Sequence, residues 1–177
     1  MQDEKNLVSR AQKGDEVAFS QLYEEYFDKI YRYIVIRMGD RMEAEDITQQ
    51  VFLKALQSIN SFKWKGAPFS AWLYRIAHNQ LVDYLRKTKR RTSVPLDEIT
   101  LAADSDPQED VEKEFDIRQL SAAIQHLTES QRAVISLRFS SELPIAEVAR
   151  IMDKSEGAIK ALQHSAVVAL RKIMVEG

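Results

Sequence analysis

FSAWLYRIAHNQLVDYLRKTKRR, residues 69–91, decides the fold. Phe69, Leu73, Ala77, Leu81 and Tyr84 recur in steps of three and four, which is one face of an α-helix. No Gly or Pro interrupts the run. Beside the apolar face lies a second stripe of Trp72, Arg75, Asn79, Asp83, Arg86 and Arg90. It combines an aromatic ring, an amide and cations. Aromatic rings stack on unpaired bases, amides read base edges and guanidinium groups hold phosphates. The end of the segment, YLRKTKRR, packs five cations into eight residues. Such a cluster is either a phosphate-binding strip or a solvated helix end. The aromatic-rich NSFKWKG at 60–66 immediately before the helix favours nucleic acid, although Trp64 alone reads as packing.

Upstream, the pattern is also helical. A short polar helix runs from Asp3 to Lys13 and closes at Gly14. Asp15 can cap the next helix, whose apolar positions are Val17, Phe19, Leu22, Tyr26, Ile30 and Ile34. Gly39 ends it. A third helix covers about Arg41 to Ile59, with Ile47, Val51, Ala55 and Ile59 at intervals of four. Gly66 and Pro68 then break the chain before residue 69.

Downstream, residues 92–113 abandon the helical period. They hold Pro95, Pro107 and scattered Ser and Thr, which predicts a flexible linker over 92–116. Four shorter helices follow. Ile117, Leu120, Ile124 and Leu127 form one stripe. Thr128 and Gln131 make a capping box. Pro144 suits the first turn of a third helix, with Ile145, Val148, Ala149 and Met152 inward. Ser155 can cap the last helix, where Ile159, Leu162, Ala166, Leu170 and Ile173 share a face. Lys160, His164, Val168, Arg171 and Lys172 point away from that face. A short helix, a turn at Asp153–Lys154 and a long helix suit a helix-turn-helix that enters a major groove; an ordinary helical hairpin is the competing reading. The expected fold is all-α: two small helical domains, residues 1–91 and 117–177, joined by a flexible acidic linker, the C-terminal one a helix-turn-helix.

The net charge of −2 hides an uneven distribution. Residues 1–96 carry 16 Lys/Arg against 12 Asp/Glu, residues 97–116 carry 1 against 9, and residues 117–177 carry 8 against 6. Two mildly basic blocks flank an acidic bridge, which allows nucleic-acid contact at both ends. There are no cysteines, so disulfides, thiolate metal sites and cysteine catalysis are excluded. The three histidines, His78, His126 and His164, lie far apart without metal-binding spacing. His78 reads as a polar surface residue. The acidic set Glu43, Glu45 and Asp46 reads as a docking or solvated helix face rather than a metal site. No cofactor, metal or enzymatic activity is expected. The polar start MQDEKNLVSR lacks a signal-peptide core, and no apolar run approaches a membrane span, so a cytoplasmic chain without membrane contact is expected.

Three segments together resemble a known family. Residues 69–91 resemble the promoter-melting segment of the extracytoplasmic-function sigma factors of the sigma-70 superfamily. EAEDITQQVFLKAL, residues 43–56, is similar to their polymerase-binding helix, and the segment from Leu127 to Lys172 to their C-terminal helix-turn-helix. The resemblance implies that Asp46, Gln49, Gln50 and Phe52 help to dock on core RNA polymerase. It implies that Phe62, the following loop and Asn79 hold an extruded base of the minus-ten element. Arg86, Lys87, Arg90 and Arg91 would hold promoter phosphates, with Trp72, Arg75 and Asp83 on the same stripe. Lys160, Ala161, His164 and Ser165 would face the minus-thirty-five element, flanked by Ser155, Arg171 and Lys172. Core RNA polymerase, promoter DNA and an anti-sigma factor are the implied partners. Gln50 replaces the family's usual glutamate, and Asp153 a frequent turn glycine. Leu162, Ser165 and Val167 stand where arginine is often found. A stand-alone helix-turn-helix regulator is the alternative; it would bind duplex DNA without polymerase.

Overall fold

The computed structural model describes residues 2–91 and 118–176. Among them, every regular element is helical. The N-terminal unit holds α1 (Gln2–Gln12), α2 (Glu16–Met38), α3 (Arg41–Ser58), a 3-10 turn (Ile59–Ser61) and α4 (Phe69–Arg91). The C-terminal unit holds α5, which includes residues 118–124, then α6 (Glu129–Ile135), α7 (Ile145–Met152) and α8 (Glu156–Glu176). The acidic linker expected over 92–116 lies outside the described residues, as does Ile117 of the expected α5 stripe.

Local chemistry sets the helix ends. Asp15 caps α2, its carboxylate accepting from the backbone N–H of Val17 at 3.0 Å and of Ala18 at 3.2 Å. At the other end Gly39 adopts φ +75°, and its N–H returns to the Val35 carbonyl at 2.8 Å. That left-handed residue turns the chain into α3 directly, so α2 and α3 pack as a hairpin. Thr128 and Gln131 form the reciprocal capping box of α6. The end of α6 then widens into a π-helical turn, Ser136–Ser140, which Arg138 braces by donating to the Leu143 carbonyl at 2.7 Å and to Gln163 on α8 at 3.0 Å.

The expected apolar stripes are buried or partly buried wherever they are described, with one exception. Leu22, Tyr26, Ile30 and Ile34 of α2 meet Ile47, Val51 and Ala55 of α3 and Phe69, Leu73, Ala77 and Leu81 of α4. Val17 is 61% exposed instead. It sits in the first turn of α2, and the buried stripe starts one residue later, at Ala18. The C-terminal unit does not stand apart from this core. Val134, Leu137, Leu143, Val148 and Ile159 join it, while Ile36 of α2 packs into the C-terminal cluster of Ile124, Leu127, Ile135 and Ala166.

Candidate nucleic-acid interface

α4 presents the basic stripe as the sequence predicts. Arg75, Asn79, Asp83, Arg86 and Lys87 are exposed along one side. Asp83 and Arg86 approach to 3.9 Å, an open ion pair that leaves the guanidinium free to find phosphate. Arg90 and Arg91 close the helix, and their side chains fall outside the described residues.

The loop before α4 is built differently from the expectation. Phe62 is buried, with its ring 4.9 Å from Trp64, 5.4 Å from Phe69 and 5.5 Å from Trp72. These rings pack on one another in tilted and edge-on geometry and offer no vacant stacking face at Phe62. Trp72 is half-buried. Lys63 and Lys65 project outward beside them. Gln12 of α1 fixes the loop from behind: its amide donates to the carbonyls of Ile59 and Phe62, both at 3.0 Å. That anchor carries no sequence signal beyond a polar residue near the end of a helix.

His78 corrects the surface reading. Its Nδ1 lies 3.2 Å from the Tyr33 hydroxyl, in a site shared with Arg37. Burial, aided by the positive charge of Arg37, lowers its pKa to about 4, so the ring is neutral at physiological pH.

On α3, Asp46, Gln49 and Gln50 are exposed and form one patch. Phe52 is not part of it. Its ring is buried 4.8 Å from Tyr23 and 6.0 Å from Phe27. Leu53 and Leu56, at 56% and 49% exposure, supply the apolar part of the face instead. At 100° per residue Phe52 falls with Thr48 and Ala55, and Leu53 falls with Gln49 and Gln50. That spacing could have separated the two.

The second half of the interface is the helix-turn-helix. Asp153 sits in the left-handed region (φ +54°, ψ +49°), and Lys154 returns its N–H to the Ala149 carbonyl at 2.9 Å. Asp tolerates that conformation better than most residues, so the turn closes without glycine. Ser155 caps α8 by accepting from Ala158 N–H at 3.1 Å. Lys160, Ala161, His164, Arg171 and Lys172 are exposed on the outer face. Ser165 is exposed but engaged: it accepts from the Gln131 amide at 3.0 Å and donates to the Leu162 carbonyl at 3.0 Å.

Comparison with known proteins agrees with both halves. Residues 22–91 match the Sigma-70 region 2 family and residues 123–172 match Sigma-70, region 4. The ECF RNA polymerase sigma factor SigW of Bacillus subtilis is 32% identical, with 95% of each chain covered. The chain belongs to the ECF sigma factors. BldN of Streptomyces coelicolor, of the same description, is 39% identical over 95% of this chain, which spans 64% of the length of that relative. In fold, this ECF sigma factor is similar to the sigma factor RpoE of Bartonella quintana, solved in complex with the anti-sigma factor NepR. The TM-score is 0.73 at 23% identity, over 88% of this chain and 96% of that one.

Proposed function

We infer that this sigma factor binds core RNA polymerase, recognises promoter DNA with both units and melts it at the start of transcription. The observation that carries the reading is the placement of two separate exposed faces on adjacent helices. The polar and apolar patch of α3 (Asp46, Gln49, Gln50, Leu53) suits a protein partner, and the cationic stripe of α4 (Arg75, Asn79, Arg86, Lys87) suits a nucleic acid strand. The α8 face with Lys160, Ala161 and His164 suits duplex DNA and is poor in charge, so its phosphate contribution is small. Arg171 and Lys172 extend the basic surface toward the end of α8, and in sequence the cationic run of α4 continues to Arg90 and Arg91. Phe62 supports the loop from within rather than meeting a base. The factor acts without catalysis of its own, in the cytoplasm, where polymerase and promoter are found. By likeness to the RpoE complex, an anti-sigma protein is a further expected partner.

The test is reconstitution. The purified chain and core polymerase should form a stable complex that starts transcription from promoters the core alone ignores. A stand-alone regulator would bind duplex DNA tightly by itself and leave core polymerase unbound, and that result would replace this reading.

A further inference from the structure

The loop before α4 makes few backbone hydrogen bonds of its own. Phe62 N–H returns to the Ile59 carbonyl at 3.1 Å and Gly66 N–H to the Trp64 carbonyl at 3.0 Å. Its inner side is set by the rings of Phe62, Trp64, Phe69 and Trp72, which fix how deep it sits. Apolar packing is non-directional, so ring contact alone leaves the loop free to shift along α4.

Direction comes from α1. Gln12, the last residue of that helix, commits both amide hydrogens to the loop. They go to the carbonyls of Ile59 and Phe62, each at 3.0 Å, 47 and 50 residues away in sequence. The two acceptors bracket the entry of the loop, since Ile59 opens the 3-10 turn and Phe62 follows it. Two hydrogen bonds from one planar amide set an orientation as well as a distance. Seven residues earlier, two turns back on the same face of α1, Lys5 holds its Nζ 5.6 Å over the ring of Trp64. Val8, fully buried between them, ties that face to the core.

The helix that carries these groups is itself held. Gly14 turns the chain at φ +90°, a conformation that favours glycine. Arg10 closes the turn, its guanidinium reaching the Asp15 carboxylate at 2.7 and 2.8 Å. Asp15 is in turn the cap of α2. The place of the loop is therefore referred, through Gln12, Arg10 and Asp15, to the start of α2.

We propose that Gln12 is a positioning residue for promoter opening, holding the loop at 62–68 where an extruded base meets it together with Asn79 of α4. The proposal rests on the sigma-factor reading, which gives the loop its use, but the anchor can be measured alone. Gln12 touches no DNA in this role, because both its donors face the protein. Capture of a base then starts from a loop already in place and not from one that must first be ordered.

Gln12→Met removes both donors at nearly constant volume. Gln12→Glu removes them and turns a carboxylate toward the two carbonyls. The position is half-buried, and the second variant keeps the test in force if the first does not fold. Hydrogen exchange of the full chain, followed amide by amide by NMR, reads the anchor. Without two hydrogen bonds of ordinary strength the loop keeps its place about a tenth of the time, so Phe62 and Gly66 N–H should exchange about tenfold faster while the buried amides of α2 keep wild-type rates. Opening is read by permanganate with core polymerase, on a promoter selected by the holoenzyme from randomised duplexes. It should slow by about tenfold in both variants, with capture of core unchanged. On the same promoter with the minus-ten region already unpaired by mismatches, initiation should match wild type. A loss equal on both templates would mean that Gln12 only supports the fold, and would overturn the proposal. Unchanged exchange, or wild-type opening in variants whose loop exchanges faster, would overturn it too. Faster loop exchange in a chain that never captures core polymerase would leave the anchor standing and remove the sigma-factor reading.

Discussion

Phe52 and Leu53 are neighbours with opposite surroundings, and single substitutions should separate them. Phe52 packs against Tyr23 and Phe27, so Phe52→Ala should lower unfolding free energy by about 3–5 kcal/mol in chemical denaturation. Leu53→Asp should leave the denaturation midpoint within about 0.5 kcal/mol of wild type, because the side chain is already in water. It should instead weaken capture of core polymerase by about tenfold, measured by competition for core. His78 gives a pH dependence whose sign follows from its depressed pKa. As pH falls, the unfolded chain takes up the proton first, near 6.5, while the folded chain resists to about 4. Stability is therefore whole above pH 6.5, declines by up to about 3 kcal/mol between 6.5 and 4, and levels off below. Denaturation midpoints of wild type and His78→Gln should diverge at neutral pH and converge toward pH 4. Parallel curves would show that another group carries the loss.

At the scale of elements, α4 carries the melting prediction. Asn79 lies on the exposed stripe of α4, away from the α3 docking patch. Asn79→Ala should slow promoter opening by the equivalent of about 1–3 kcal/mol and leave core binding intact. Permanganate footprints that match wild type would remove Asn79 from strand reading. The helices themselves were legible because their signals are local. Asp15, Gly39, the Thr128–Gln131 box and Ser155 each act within four residues of a helix end, and the three-four stripe of α4 needs no knowledge of its partners. The misplacements have the converse cause. His78 is placed by contacts across tens of residues, with Tyr33 and Arg37, and no window of sequence contains those partners; Phe62 is buried by rings within ten residues, Trp64, Phe69 and Trp72, but across an irregular loop that has no helical period to place it. Phe52 shares its helical phase with Thr48 and Ala55, and that local signal places it inside, against the docking role the family resemblance implies. Of the proposed DNA-facing residues, Arg75, Asn79, Lys160 and His164 were legible as outward positions on amphipathic helices. The engagement of Ser165 by Gln131 was not, since it joins two helices 34 residues apart.

At the scale of the whole molecule, the proposed function requires the two readers to part. The 25 residues of 92–116 reach roughly 80–90 Å when extended. Promoter elements one and a half to two turns apart lie roughly 50–70 Å from each other. Deleting about half of the segment cuts its reach to roughly 40–45 Å. The shortened chain should still fold and still bind core polymerase in part. It should lose its dependence on the minus-thirty-five element in transcription from mutated promoters, and an unchanged dependence would mean that the units are joined by another route. The docking of Ile36 into the C-terminal cluster has a consequence that concerns concentration. The contact joins two parts of one chain, so dilution leaves it unchanged, unlike a contact between two molecules.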